Sequence, residues 1–375
     1  MKNPFFFKEL PVDAPFCNRR KEIRQLTSHA KNSANATLFS PRRYGKTSMV
    51  KRVQKILERQ GYFTAYISFY GISSIDEIAA LLATGLYEVS HQNEGLLKKV
   101  MRFITPWRPV IKPDPESGIT VSVEATGGHR GLDLLKETLD GLTFFIEDHL
   151  VGSHLVLDEF QEIVDIPKSL AVEGMLRTYI QKHAKASYFF VGSRRRLLKD
   201  MMNEQKRPFY QSSINISLEA LPLDESAAFI IERFKSVGVH CPQDIASRLV
   251  SRVQGYPYYI QRIPYSIYEV CGKKITESDY IRGFRQTIQE ESTTYETMLK
   301  AIAPQQIALL KALAKDPTDS PFSNAYMTKH RLGSIGGIQS ALRRLDVLDY
   351  IEQGGDKAYR VVDPVFTIWL QNSPF

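Results

Sequence analysis

The stretch Leu38-Phe39-Ser40-Pro41-Arg42-Arg43-Tyr44-Gly45-Lys46-Thr47-Ser48 constrains the fold more than any other part of the chain. A short apolar run, Ala36 to Phe39, reads as a strand. A helical pattern follows from Ser48 to Gln60, with Val50, Val53 and Leu57 on one face. The tight loop between them closes on Gly45-Lys46-Thr47 and matches a phosphate-binding loop of the G-x-x-x-x-G-K-[ST] kind. Gly45 lets the backbone approach a phosphate oxygen with no Cβ in the way. Successive N–H groups from Arg42, Arg43 and Tyr44 through Ser48, with the helix N-terminus, supply partial positive charge. Lys46 is long enough to reach the β- and γ-phosphates, and the Thr47 hydroxyl can ligate Mg²⁺. Ser40 replaces the first glycine of the pattern, which is tolerable if its φ is negative.

A second element of a nucleotide site lies downstream. His154-Leu155-Val156-Leu157-Asp158-Glu159-Phe160 is an apolar run ending in two carboxylates. It reads as a buried parallel strand that delivers both acids to a site at its C-terminal end. Asp158 is expected to hold Mg²⁺, and Glu159 to polarise an attacking water. Ser187 to Gly192 is a further strand, followed by Ser193-Arg194-Arg195-Arg196. Ser193 at that strand end would face the γ-phosphate. The arginine triplet has several readings: nucleotide sensing by Arg194, a neighbouring subunit's phosphate, nucleic acid, or a solvated helix start.

At 375 residues the chain has room for two or three domains. No apolar run approaches a membrane span, so no membrane partner is expected. The opening MKNPFFFKEL has an apolar patch too short for a signal peptide. Cys17, Cys241 and Cys271 lack the close spacing of a disulfide framework or zinc site, which fits a reduced cytoplasm. The net charge of +8 is uneven: residues 1–60 hold 14 Lys/Arg against 4 Asp/Glu, and the remainder 35 against 37. A polyanionic nucleotide and a nucleic-acid surface explain that excess equally well.

Along the chain, Phe16 precedes a turn at Asn18, where a left-handed conformation is expected, and a helix begins by Glu22. Phe16 followed by a cation could flank an adenine; a packed aromatic at a helix entry explains it as well. Tyr62 to Phe69 is β-rich, Ile75 to Val89 helical, and Gly131 to Asp148 helical. Between them, strands near Pro109–Lys112 and Ile119–Glu124 flank a Pro/Gly turn at 113–118, which predicts an inserted hairpin at about 107–124. Asn215 to Leu218 reads as the last core strand. From about Leu221 the pattern turns helical, broken sharply at Gly255-Tyr256-Pro257, with Tyr258 to Val270 helical again. Helices at Gln305–Ala314 and Ser334–Leu348, then a hairpin with a turn at Gly354-Gly355-Asp356, form a winged-helix pattern.

These pieces in this order resemble the STAND branch of P-loop ATPases, and more narrowly the prokaryotic family often termed archaeal ATPases, over roughly residues 13–372. The segments that carry the resemblance are FCNRRKEI, SPRRYGKTS, HLVLDEF, FFVGS, QGYPYYIQ and DPVFTIWL. It implies an α/β fold with a three-layer αβα core of the ASCE P-loop class and parallel sheet order 5-1-4-3-2. The implied domains are a core at 1–220, a helical lid at 221–302 and a winged helix at 303–375. Also implied are ATP and Mg²⁺ as cofactors, slow hydrolysis, and nucleotide-gated switching between closed and open forms. By the same resemblance Phe16 and Arg19 match the motif near adenine, Gly255 and Pro257 the lid motif that touches nucleotide, and Ser193 the sensor. Asn18 and Ser40 depart from family glycines. Gln211-Ser212 stands where relatives often carry Gly-Arg, so a finger would have to come from Arg207 or the 194–196 triplet, or be missing.

Two functions compete with the switch. One is a DNA-binding regulator or mobile-element accessory ATPase resembling initiator ATPases; the other is a nucleotide-binding scaffold without turnover, against which Glu159 argues. Residues 298–375 carry only 9 Lys/Arg against 7 Asp/Glu, and Arg343 and Arg344 are the obvious phosphate partners on the row 334–348. The candidate partners are therefore ATP/ADP, nucleic acid held without sequence preference, and a protein docked on the winged helix. The candidate assembly is a nucleotide-dependent homo-oligomer.

Overall fold

A computed structural model describes residues 2–8, 10–90, 94–114, 118–148 and 151–372. The chain divides into two compact units: residues 19–40 with 46–218, and residues 1–18 with 41–45 and 219–375.

The first unit is built on five strands: β1 (Ala36–Phe39), β2 (Phe63–Ser68), β5 (Ser153–Asp158), β6 (Ala186–Gly192) and β7 (Ile214–Ser217). Between β2 and β5 in sequence lies a separate antiparallel pair, β3 (Trp107–Asp114) and β4 (Gly118–Ala125). The five strands are all parallel, in the order β2-β5-β6-β1-β7. Numbered without the hairpin, this is the expected 5-1-4-3-2 order. Every residue of β1, β5 and β6 is buried, as parallel strands covered on both faces require. The helix Lys46–Glu58 turns Met49, Val50, Val53 and Leu57 inward.

The register brings the functional strand ends to one edge. Phe39 pairs with Gly192, and Ser68 with Asp158. Ser40, Glu159 and Ser193 therefore all leave the sheet at its carboxyl edge. The predicted hairpin forms; its turn at 115–117 lies outside the described residues. Its base is anchored by the Trp107 indole, which donates to Thr138 Oγ1 at 2.7 Å, and by Tyr87 Oη, which donates to the Trp107 carbonyl at 3.2 Å.

The second unit differs from the expected division of the chain. Residues 1–18 and 41–45, expected within a core at 1–220, group with residues 219–375. Burial explains the N-terminal part: Phe5 is inside, against Phe234 with ring centroids 4.8 Å apart, and Asn3 Nδ2 donates to the Tyr265 carbonyl. Four helices follow in sequence, Leu223–Lys235, Gln243–Arg252, Pro257–Val270 and Glu277–Lys300. Three more, Pro304–Lys315, Asn324–Lys329 and Ile335–Val347, lead to the hairpin β8 (Ile351–Gln353) and β9 (Tyr359–Val361) and a last helix, Pro364–Asn372. A single apolar core runs across the expected 302/303 boundary, through Leu299, Ile302, Leu309 and Leu313.

Candidate nucleotide site

In the first unit, Lys46 opens its helix and is buried, with Nζ donating to the Ser40 carbonyl at 2.9 Å and lying 3.3 Å from Ser40 Oγ. Ser40 is not among the positive-φ residues, so its side chain costs the loop no strain. Gly45 has φ +80°, a value that favours glycine. Thr47 Oγ1 lies 3.5 Å from Asp158 Oδ2, and the half-buried Ser48 continues the first helical turn. Asp158 also accepts from the Tyr66 hydroxyl on β2 and from the Glu159 amide at 2.9 Å. Burial pushes the Asp158 carboxyl above its usual range, and the Tyr66 hydroxyl pulls it partly back. A hydroxyl and a carboxylate at this separation are hard oxygen donors of the kind Mg²⁺ takes, so the residues fit that ion.

Glu159 sits in the left-handed region at φ 50°, an uncommon place for a non-glycine residue. Its Oε2 accepts from Ser193 Oγ at 3.1 Å and from the Ser193 amide at 3.4 Å. The two residues predicted as water activator and sensor are thus in contact at the ends of neighbouring strands. Arg194 is engaged elsewhere: Nη1 lies 2.5 Å from Asp165 and 3.6 Å from Glu162. Arg207, one source considered for a finger, is paired at 2.5 Å with the fully buried Glu173.

In the second unit, the loop tip is fastened to the helices that follow Gly255. Tyr256 Oη donates to the Arg42 carbonyl at 2.6 Å, and the Tyr44 and Tyr256 rings meet edge-on at 4.7 Å. Arg43, at φ 62°, donates to Glu291 Oε2 at 2.9 Å and lies 4.2 Å from the Tyr258 ring centre. Tyr258 Oη donates to the other oxygen of Glu291 at 2.5 Å. The next residue, Tyr259, bonds Tyr295 Oη at 2.8 Å and donates to Asp363 at 2.7 Å. Asp363 in turn accepts from the Val365 and Phe366 amides at the start of the last helix.

Gly255 has φ +67°, and a Cβ there would lie 2.2 Å from the Leu221 carbonyl oxygen. Its glycine is therefore dictated by the backbone, and Pro257 by its place in the first turn of a helix. Asn18 takes the expected left-handed conformation at φ 58°, as does Arg19 at 69°. Phe16 is half-buried in the second unit; Arg19 is buried in the first and bonds Glu22 at 2.8 Å.

Comparison with known proteins agrees with the fold. Residues 293–372 match a family model described as "Probable winged helix domain". The match begins about ten residues before the expected boundary, inside the helix Glu277–Lys300. No curated protein matches the chain. Among solved structures, the chain is similar to a Walker-type ATPase, paby2304 of Pyrococcus abyssi, at TM-score 0.70 and 16% identity, over 95% of this chain and 96% of that one. It also resembles the Aeropyrum pernix ORC2 protein in ADPNP–ADP complexes at TM-score 0.55 and 17% identity, over 97% of each chain. The Aeropyrum pernix ORC1 protein in complex with DNA follows at 0.53 and 12%, over 100% of this chain and 99% of that one. The fold is that of a P-loop ATPase with a C-terminal winged helix. Among the described residues no helix is long and apolar enough to cross a membrane.

The sequence motifs did not reach several residues of this ATPase-like fold. Tyr66 carries no motif; only the pairing of β2 with β5 puts it beside Asp158. Gln161 lies just past the quoted segment HLVLDEF. Glu291 is 248 residues from Arg43 and has no local signal, whereas its partner Tyr258 sits inside QGYPYYIQ.

Proposed function

We propose that this chain is an ATP-binding and hydrolysing molecular switch of the STAND/AAA+ kind, which passes nucleotide state from its phosphate loop to its lid and winged helix. The observation that carries the switch is the fastening of Arg43. A residue in the middle of the phosphate loop bonds a buried carboxylate, Glu291, and that carboxylate also holds Tyr258. Through the adjacent Tyr259 the path continues to Asp363, which caps the last helix of the winged-helix region. Movement of the loop tip on a phosphate would have to be answered by Glu291 and Tyr258, because losing the more exposed Arg43 leaves the buried Glu291 carboxylate without its cation.

The chemistry at the phosphate follows from the first unit. Lys46 supplies a charge to the β/γ-phosphates after leaving Ser40, and the loop's N–H groups and helix N-terminus hold the remaining oxygens. Thr47 and Asp158 would hold Mg²⁺, which would neutralise charge on the phosphates. Glu159 accepts a proton from the attacking water, and Ser193, now bonded to Glu159, is placed to exchange that bond for one to the γ-phosphate. The test is calorimetry with phosphate release. Wild type should bind ATP·Mg²⁺ and hydrolyse it slowly. Lys46→Ala should lose affinity, and Glu159→Gln should keep affinity but turn over on the order of a hundredfold more slowly. Equal affinity for wild type and Lys46→Ala, or equal turnover for wild type and Glu159→Gln, contradicts the assignment.

A second function, DNA binding as an accessory or regulator, draws support from the full-length likeness to ORC1 in complex with DNA. Arg343 and Arg344 are exposed on the helix Ile335–Val347, whereas Arg194 is committed to Asp165 and Glu162. Duplex titration at several salt concentrations separates the two functions: a reader loses binding in the Arg343→Ala/Arg344→Ala variant, and a pure switch binds no duplex at all.

A further inference from the structure

Gln161 is fully buried, two residues beyond Glu159, in the short 3-10 turn Phe160–Asp165. Its Nε2 donates to Glu159 Oε2 at 2.5 Å and lies 3.4 Å from Glu162 Oε1. Its Oε1 has no hydrogen-bond donor among the described residues. That oxygen is pressed against Gly192 at the end of β6, where an added Cβ would sit only 2.0 Å away. The amide is therefore wedged, its nitrogen turned to a carboxylate and its oxygen turned to a bare Cα. A buried glutamine whose polar engagements are all with acids beside it is poorly explained as core, because its orphaned oxygen carries a desolvation cost.

The contacts of Glu159 complete the picture. Gln161 Nε2, Ser193 Oγ and the Ser193 amide all converge on the same oxygen, Oε2. The carboxylate plane is thus set from two sides, by the turn that follows β5 and by the residue that follows β6. If the Ser193 hydroxyl turns to a phosphate, Gln161 Nε2 is the side-chain donor left holding Glu159, beside the longer bond from the Ser193 amide.

We propose that Gln161 is a positioning residue for Glu159: it fixes the carboxylate so that its other oxygen faces the attacking water, and Gly192 is glycine to make room for it. This rests on the assignment of Glu159 as the water activator. A misplaced catalytic group costs on the order of tenfold to a hundredfold in rate.

The experiment measures steady-state ATP hydrolysis and ATP·Mg²⁺ affinity together. Gln161→Leu, nearly the same size without a donor, should lower kcat about tenfold and leave KM and affinity within about twofold. In a Glu159→Gln background the same change should alter the residual rate by less than about twofold, because there is no carboxylate left to position. Gly192→Ala should reproduce the loss through displacement of the amide, yet add nothing further in a Gln161→Ala chain. Unchanged kcat in Gln161→Leu overturns the proposal, as does an equal drop in the Glu159→Gln background, which would mark Gln161 as merely structural. Failure of the functional assignment itself looks different: wild-type turnover would then be absent or indifferent to Glu159→Gln before any Gln161 variant is made.

Discussion

At the scale of single residues, the first unit buries ionisable groups whose titration works in opposite directions. His154 is inside β5, with Nδ1 2.7 Å from Ser187 Oγ and its ring edge-on to Phe189 at 4.3 Å. Burial pushes its pKa down to about 3, and burial with the nearby Lys182 charge pushes His183 down to about 4. An unfolded histidine titrates near 6.5. Between these values the unfolded chain takes up protons the folded one refuses, so stability present above pH 6.5 is lost as the pH falls. Glu173 runs the other way. Burial pushes its carboxyl up to about 7 against the pull of Arg207, and its contribution, full below its unfolded pKa, is lost as the pH rises. On acidification from pH 7.5 to 5 the two histidines pull the melting temperature down, while Glu173 and the carboxyls of Asp158 and Asp363, which burial also raises, pull it up. His154→Asn should shrink the downward pull by several degrees, since one unit of pKa shift is about 1.4 kcal/mol. Melting temperatures of the two proteins that shift in parallel between these pH values would show that His154 is not charged on unfolding.

At the scale of elements, a close helix crossing in the second unit is set by a missing side chain. A Cβ on Gly283, in Glu277–Lys300, would lie 2.8 Å from the backbone nitrogen of Ile267, in Pro257–Val270. Backbone cannot retreat as a side-chain tip can, so Gly283→Ala should cost about 2 kcal/mol in denaturant unfolding despite alanine's better helix propensity. Gly336→Ala, whose Cβ meets nothing within 4 Å, is the control and should be neutral or slightly stabilising. Equal effects would mean the helices do not approach at Gly283. The same helix shows where sequence patterning stops. Its inward row is Tyr280, Phe284, Thr287, Glu291, Tyr295 and Leu299. Two polar residues interrupt the apolar stripe, so the longest helix of the chain carries no clean period. The helix Glu94–Phe103 was equally hard to read, with Val100 its only buried residue. By contrast β1, β5 and β6 are short apolar runs ended by loop or acid residues, and burial on both faces is what makes them legible. The Gly45-Lys46-Thr47 loop and the Asp158-Glu159 pair stood out because each is a short local pattern and the second follows the first along the chain. Tyr66, Gln161 and Glu291 did not, because register and tertiary packing alone bring them to their partners.

At the scale of the whole molecule, the proposed switch would join the tip of the phosphate loop to the winged-helix region through side chains far apart in sequence. Within the second unit the steps are Arg43 to Glu291, Glu291 to Tyr258, and then Tyr259 to Asp363. The Val365 and Phe366 amides, each 2.9 Å from Asp363 Oδ1, report the state of the far end. Coupling of this kind requires that the nucleotide interact differently with two arrangements of the loop tip. Hydrogen exchange at those amides with and without ATP·Mg²⁺, in wild type and in Lys46→Ala, tests it most directly. The account predicts that ATP·Mg²⁺ changes their protection in wild type and leaves Lys46→Ala unaffected. Identical protection in wild type with and without ATP·Mg²⁺, at concentrations where calorimetry finds the nucleotide bound, would contradict it.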